Sequence, residues 1–262
     1  MSSFKIERHG ALMASVRLTH LWSSVYGISL KVSSDEATID DCKAILLQSI
    51  ASAHICGAQR LDFRLSATTP LHDSLAQQLA QMGFQRRHDR LEFRKALNDL
   101  PNDDGSPLVW KSALELAYDR NQIASAVDSV TKGDPDHDPS EVPTEFISDF
   151  LLHPELTAGP QCISLGFVDG HFAALAVGQV EPTSGWSRIS YMGIVPAFRS
   201  RGLGIWVHRH GFDLMRRQQG IHYHGGTSAE NFPMMRLFEK HGCDFYRRMQ
   251  EWRLPLLSGG EQ

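Results

Sequence analysis

YMGIVPAFRSRGLG, residues Tyr191–Gly204, is the stretch from which the rest of this chain is read. An apolar strand breaks at Pro196, and a basic turn carrying two glycines then opens an amphipathic helix. Gly202 and Gly204 lack a Cβ, so backbone N–H groups there can close on a phosphate without obstruction. The helix they open presents its own unpaired N–H groups and positive dipole end to the same point. With Arg199 and Arg201 adding mobile positive charge, the stretch reads as an anion cradle. No Lys-Ser or Lys-Thr pair follows the glycines and no third glycine completes a dinucleotide fingerprint, so both of those phosphate loops are excluded.

Composition sets the surroundings of this cradle. The 262 residues suffice for one large domain or two small ones, and 42% hydrophobic with 21% charged residues is ordinary for a globular protein. A net charge of −4 argues against a nucleic-acid surface. Cys42, Cys56, Cys162 and Cys243 are scattered without a C-x-x-C pair, which suits reduced thiols in a cytoplasmic protein. No apolar run reaches membrane-spanning length, and Lys5, Glu7, Arg8 and His9 interrupt any signal-like start, so a membrane partner is not expected.

In chain order, residues 4–32 read as strands, Ile39–Ile55 as a helix, Leu61–Leu65 as a strand, the segment after Pro70 as a helix ending at Gly83, and Phe84–Arg94 as a strand. Asn98–Pro107, with two prolines and three aspartates, reads as a linker. Beyond it come a strand near Leu108–Ala113 and a helix from about Asp119 to Val130. The acidic run Asp134, Asp136, Asp138, Glu141 follows, then a helix over Pro143–Leu152 stopped by Pro154. Strands Cys162–Val168 and Phe172–Val180 meet at Asp169-Gly170, suited to a type I′ turn, and Arg188–Ile194 leads into the cradle. Periodicity alone gives an α+β sheet protein.

The run Ile194-x-Pro196-x-x-Arg199-x-Arg201-Gly202-x-Gly204 resembles the acyl-CoA pyrophosphate loop of the GCN5-related N-acetyltransferases (GNAT). Downstream, GGTSAENFPMMRLFEKHGC (Gly225–Cys243) resembles that family's second motif, an Asn opening a short helix that ends in Gly before another strand. The resemblance covers Pro107–Leu254. It implies a mixed, mostly antiparallel central sheet flanked by helices, in the order strand, two helices, three-strand meander, helix, strand, helix, two strands. It also implies acetyl-CoA as cosubstrate, with no metal, and an amine as acceptor; oligomeric state, monomer or homodimer, stays open.

The chain ends resemble each other. Gly83–Arg94 lies over Gly242–Arg253, with Gly on Gly, Glu92 on Glu251, Phe93 on Trp252 and Arg94 on Arg253. This reads as an internal repeat, with two unrelated strand-helix-strand units as the alternative. The expected division is a degenerate half domain at 1–97, a linker at 98–107 and the acetyltransferase domain at 108–256. Ser33–Thr38, where the N-terminal copy's phosphate loop belongs, contains no glycine, so that half is expected not to grip CoA.

Acetyl transfer from a thioester to an amine passes through a tetrahedral oxyanion, which needs an N–H donor aimed at it. The resemblance implies that Met192 supplies this backbone donor, that Gly193 and Ile194 continue the pantetheine contact, and that Arg199, Ser200, Arg201, Gly202, Leu203 and Gly204 hold the pyrophosphate. Asn231 is implied to cap its helix and touch the pantetheine arm. The base is not legible: one family position for a glutamate is occupied by Arg188, and Glu181 is the remaining candidate, against the alternative of a solvated strand end. The family's tyrosine acid falls on Phe238, which either packs near the thioester or fills the core. Tyr191, Tyr223 and Ser228 stand as unranked substitutes. Of thirteen histidines, His222 and His224 would share a strand face and His208 and His210 would diverge on a helix, with no third ligand at a sensible spacing for a metal, and the acidic run is either a solvated turn or an attractor for a cationic amine. The sequence therefore reads as an acyl-CoA-dependent N-acyltransferase acting on a primary amine of a small molecule. The alternatives are a non-catalytic CoA-binding module and a peptide or protein N-terminal acetylase.

Overall fold

A computed structural model describes residues 2–22, 24–98, 105–137, 143–153 and 155–256. The chain forms two compact units, residues 1–91 with the stretch from 247, and residues 92–246. Their limits therefore fall at 91/92 and 246/247, within strands, rather than in the expected 98–107 linker. Both units are mixed α+β. No helix among the described residues is long and apolar enough to cross a membrane.

The first unit contains β1 (Ser2–Arg8), β2 (Ala11–Trp22), β3 (Val25–Val32), α1 (Ile39–Ile55), β4 (Arg60–Ser66), α2 (His72–Gln81), the start of β5 (Gln85–Ala96) and most of β11 (Asp244–Pro255). Its strand order is β1-β2-β3-β4-β11-β5. α1 carries the chain across from β3 to the parallel β4, and β11 runs antiparallel to β4 from Met249↔Ser66 to Pro255↔Arg60. Ile45, Leu46, Leu61, Phe63, Leu75, Leu79 and Trp252 fill the core, since burying each of them contributes on the order of 1.5–3 kcal/mol.

The start of α1 is closed by side chains of its own unit. Thr38 caps the helix by accepting from the Asp41 amide, while Asp41 Oδ2 accepts from the Thr38 amide at 2.8 Å. Arg8 Nη2 closes on Asp41 Oδ1 at 2.6 Å. These bonds hold the Asp41 carboxyl below its usual range. The helix N-terminus is thus occupied by the chain's own anion.

The second unit contains β6 (Val109–Ser112), α3 (Arg120–Thr131), α4 (Pro143–Leu152), β7 (Ile163–Val168), β8 (His171–Val180), β9 (Trp186–Ile194), α5 (Gly204–Arg217), β10 (His222–Ser228) and α6 (Phe232–Lys240), with the end of β5 and the start of β11. The order is β6-β7-β8-β9-β10-β5-β11. Where two strands were expected after α6, only β11 follows among the described residues; the place between β10 and β11 is taken by β5 from the N-terminal half. The first unit shows the same pattern, with β11 between β4 and β5. Gly83 (φ +87) and Gly242 (φ +60) turn the chain out of α2 and α6 at equivalent points.

In this unit α5 covers one sheet face, with Phe212, Met215, Tyr223 and Phe238 in the core beneath it. α3 and α4 lie on the other: a Cβ on Gly193 would come 2.8 Å from Val130 Cβ, and Asp149 of α4 meets Arg188 of β9.

Replacing Thr38 by Ala removes the cap of α1. It should lower stability in urea denaturation by about 1 kcal/mol, whereas an unchanged midpoint would contradict the role given to this cap.

Candidate functional site

β9 and β10 run parallel but pair only at His222↔Trp186 and Tyr223↔Ser187, then diverge. On its other side β9 is fully laddered to β8, except for a bulge that leaves Ser190 as the extra residue between Tyr191↔Val177 and Ile189↔Gly178. Val195 donates to Ala173 O at 2.9 Å, so alternation along the ladder directs the amides of Tyr191 and Gly193 to β8. Those of Met192 and Ile194 face the opposite way, into the gap left by β10.

The loop at the open end of that gap has the geometry of an anion cradle. Ser200 (φ +61) and Gly202 (φ +76) occupy the left-handed region, and a Cβ on Gly202 would meet no atom within 4 Å. Leu203 stands at the N-cap of α5 without a side-chain cap and is buried beside Val207. Gly204 lets the helix start pack on Leu237, whose Cδ1 would lie 3.3 Å from an added Cβ. Among the described residues, the amides of Ser200 through Ile205 have no hydrogen-bond partner. Six consecutive donors at a helix start are the chemistry that binds a phosphate.

The two arginines divide the work differently from the sequence expectation. Arg199 is not mobile. Its Nε donates to Ile194 O at 2.9 Å, Nη2 to Val130 O at 3.0 Å and Nη1 to Gly133 O at 3.3 Å, binding the loop to the end of α3. Arg201 is exposed, 5.0 Å from the Phe198 ring, and supplies the loop's free positive charge.

A second segment ties the two lips of the cleft together. Tyr191 donates to Asp134 at 2.8 Å. Asp136 accepts from Thr227 Oγ1 at 2.5 Å, from the Ser228 amide at 3.0 Å and from Asn231 Nδ2 at 3.1 Å. The residues between α3 and α4 thus reach from β9 to β10 and to the start of α6. Asp134 and Asp136 are thereby engaged by protein donors, which the expectation of carboxylates waiting for a cationic amine did not foresee; Asp138, Glu141 and Pro154 lie outside the described residues. Asn231 caps α6 as expected, with Oδ1 accepting from the Met234 amide at 3.2 Å. Because that bond fixes the amide's orientation, its Nδ2 is aimed at Asp136.

The acid and base candidates fare worse. Glu181 sits in the turn joining β8 to β9, where it accepts from Ser184. Ala176 is opposite Met192, so Glu181, five residues further along, lies ~17 Å away; it cannot serve as the base. Tyr191 is half-buried, and desolvation together with the Asp134 charge pushes its phenol far above the usual range. It stays neutral and anchors the segment rather than releasing a proton. Phe238 is fully buried and stacked on Phe93 at 4.3 Å, a core residue. Arg188 pairs with Asp149 at 2.6 Å and with Ser190 at 2.9 Å. No group of metal-binding side chains occurs among the described residues; His208 instead pairs with His241, Nδ1 to Nδ1 at 2.9 Å, and burial lowers the pKa of both. Helix spacing alone pairs positions within one helix, so this contact between α5 and α6 was not legible.

Residues 124–243 match the family model described as the acetyltransferase (GNAT) family. Among similar solved structures are a GCN5-related N-acetyltransferase from Sphaerobacter thermophilus (14% identity, 94% of this chain and 77% of that one, TM-score 0.69) and a tandem GNAT protein from the clavulanic acid biosynthesis pathway (13%, 99% and 83%, 0.62). A GCN5-related N-acetyltransferase from Kribbella flavida gives 14%, 94% and 90%, and 0.59. At these identities the likeness is one of fold. No curated protein matches the sequence.

Asp136→Ala should free the Ser228 amide, raising its hydrogen-exchange rate, and cost about 2 kcal/mol of stability because a charged acceptor is lost. Unchanged exchange at Ser228 would contradict the strap.

Proposed function

We propose, from the GNAT acetyltransferase domain carried at residues 124–243, that this protein transfers an acetyl group from acetyl-CoA directly to the primary amine of a small molecule. The observation that carries the reading is the alignment of two sets of donors along one cleft: the unpartnered amides of residues 200–205 at its mouth and the inward amides of Met192 and Ile194 along its wall.

The residues present fit acetyl-CoA. Gly202 is open to an approaching phosphate, the first turn of α5 supplies N–H groups and a positive dipole end, and Arg201 adds charge. Bound there, the cosubstrate supplies an activated acyl group. The Met192 amide is the donor placed to receive the negative charge that builds on an acyl oxygen, and one such donor contributes on the order of 3 kcal/mol. Asn231, capping α6 across the gap, supports the same arm. Arg199 and the Asp136 strap hold the two walls at a fixed separation, so the donors need not be reorganised on binding.

Direct transfer is favoured over a covalent enzyme intermediate. Burial pushes the Cys243 thiol up to about 12, and raises Cys162 and Cys42 as well. A nucleophilic cysteine needs the opposite shift. In the first unit, Asp41 and Thr38 fill the corresponding helix start, so one cosubstrate per chain is expected.

Calorimetry with acetyl-CoA should give a stoichiometry of one. Gly202→Asp, which sets a carboxylate in the cradle and strains a left-handed position, should weaken binding by roughly 100-fold, or about 2.8 kcal/mol. Undiminished affinity in that variant, or two sites per chain, would overturn the placement. Thiol release with an amine panel tests the chemistry.

A further inference from the structure

The face of the second unit's sheet that carries α3 and α4 bears, on β10 and its neighbours, a group of side chains that the cofactor cleft does not use. β5 runs antiparallel to β10: the Leu97 amide donates to Ile221 O at one end, and Glu92 meets His224 further along. Phe93 packs into the core beneath α5, so Glu92 and Arg94 point to the opposite face. Tyr223 lies in that same core, so His224 also points away from it. From this arrangement we infer that His224, held by Glu92, takes the acceptor's proton, that Arg94 binds a carboxylate on the same acceptor, and hence that the acceptor is a short amino carboxylate.

His224 sits one residue beyond Tyr223, the last residue of β10 paired with β9, where the cleft begins. Its Nε2 lies 3.2 Å from Glu92 Oε2. A carboxylate only accepts, so the Nε2 proton is held there and the lone pair is left on Nδ1. Glu92 is 3% exposed, whereas the His224 side chain is 35% exposed and so reachable. Across the gap from it, Arg188 is neutralised by Asp149. The level of Arg188 is three β8 residues from that of Met192 (Gln179 against Ala176), a step of ~10 Å. In this proposal relay water carries the proton over that distance.

Arg94 is a further cation of this face. Its guanidinium stacks on Tyr246, 3.1 Å from the ring centroid, with the Trp186 ring at 5.3 Å. Its Nε is buried without a partner. Aromatic walls leave the edge of a guanidinium free, and that edge matches a carboxylate bidentately. His224 packs edge-on to the same Tyr246 ring, centroids 5.9 Å apart, and Glu92 and Arg94 are two residues apart on one strand, ~7 Å. An amine at Nδ1 and a carboxylate at Arg94 are therefore separated by a chain of only a few atoms.

The reaction balances with these groups. The acceptor arrives as an ammonium and gives one proton to His224 Nδ1, which passes it to solvent. The nitrogen lone pair forms the N–C bond. The C–S bond breaks with its electron pair going to sulfur, and the second nitrogen proton leaves to protonate the thiolate.

This inference rests on the acyltransferase reading, and the two fail separately. The experiment is thiol release from acetyl-CoA by the full chain, with short amino carboxylates and with the matching amines that lack the carboxylate. Amino carboxylates should be preferred by roughly 100-fold or more in kcat/KM. Arg94→Ala should raise KM and erase that preference. His224→Ala should lower kcat by roughly 100-fold or more, with partial rescue by added imidazole and an unaltered affinity for acetyl-CoA. Glu92→Gln, a change in a positioning residue, should lower kcat and leave KM in place. Equal use of both acceptor sets, no acetylation of any amino carboxylate while acetyl-CoA still binds, or a His224→Ala enzyme of wild-type kcat would overturn the inference and leave the acyltransferase reading standing. Absence of acetyl-CoA binding would instead remove that reading itself.

Discussion

The parting of β9 from β10 after two residue pairs is the constraint on which residues 92–246 depend. Backbone donors turned away from a sheet neighbour normally find another strand, and leaving them unpaired in a buried setting is costly. Here the gap is held open by packing and hydrogen-bonded ties at its edges. The bulge at Ser190 redirects β9, the Gly193–Val130 contact seats α3 on it, Arg199 fastens the phosphate loop to the end of that helix, and Asp136 fastens β10 and α6 to the following segment. The Arg199 and Asp136 ties set a charged group on neutral partners, the stronger class of hydrogen bond. The cleft is therefore preorganised, and its inward amides keep their donors for a ligand.

The two units repeat a strand arrangement in which the outermost and next-outermost places are filled from opposite halves of the chain. The helix start of the N-terminal half is closed by Thr38, Asp41 and Arg8. Without β5, the strand position between β10 and β11 would be vacant, and with it would go Phe93, which stacks on Phe238 in the core beneath α5.

Much of this was legible in the sequence, for identifiable reasons. The spacing from Ile194 to Gly204 and the Asn231 cap depend on local backbone chemistry, which residue type dictates, and both appear where the motif put them. The glycine-free segment before α1 foretold a different helix start, although not that Asp41 would fill it. What failed depended on distance in the fold. Glu181 adjoins β9 in sequence but lies at the wrong end of the ladder; Arg199 looked like mobile charge because its carbonyl partners at Val130 and Gly133 are more than sixty residues away. The exchange of β5 and β11 was invisible because both strands carry the same pattern, Glu92 on Glu251 and Arg94 on Arg253, so sequence alone could not tell which unit each would join. His224 was seen as one of thirteen histidines, and only the sheet order brings Glu92 to it.

The central claim is that the amides of residues 200–205 are the seat of the cosubstrate's phosphates. Amide hydrogen exchange of the full chain, measured with and without coenzyme A, tests it most directly. Slowed exchange confined to Ser200–Ile205 and to the inward amides at Met192 and Ile194 is the predicted result. Unchanged exchange there, or protection appearing instead at the start of α1 around Thr38–Asp41, would contradict it.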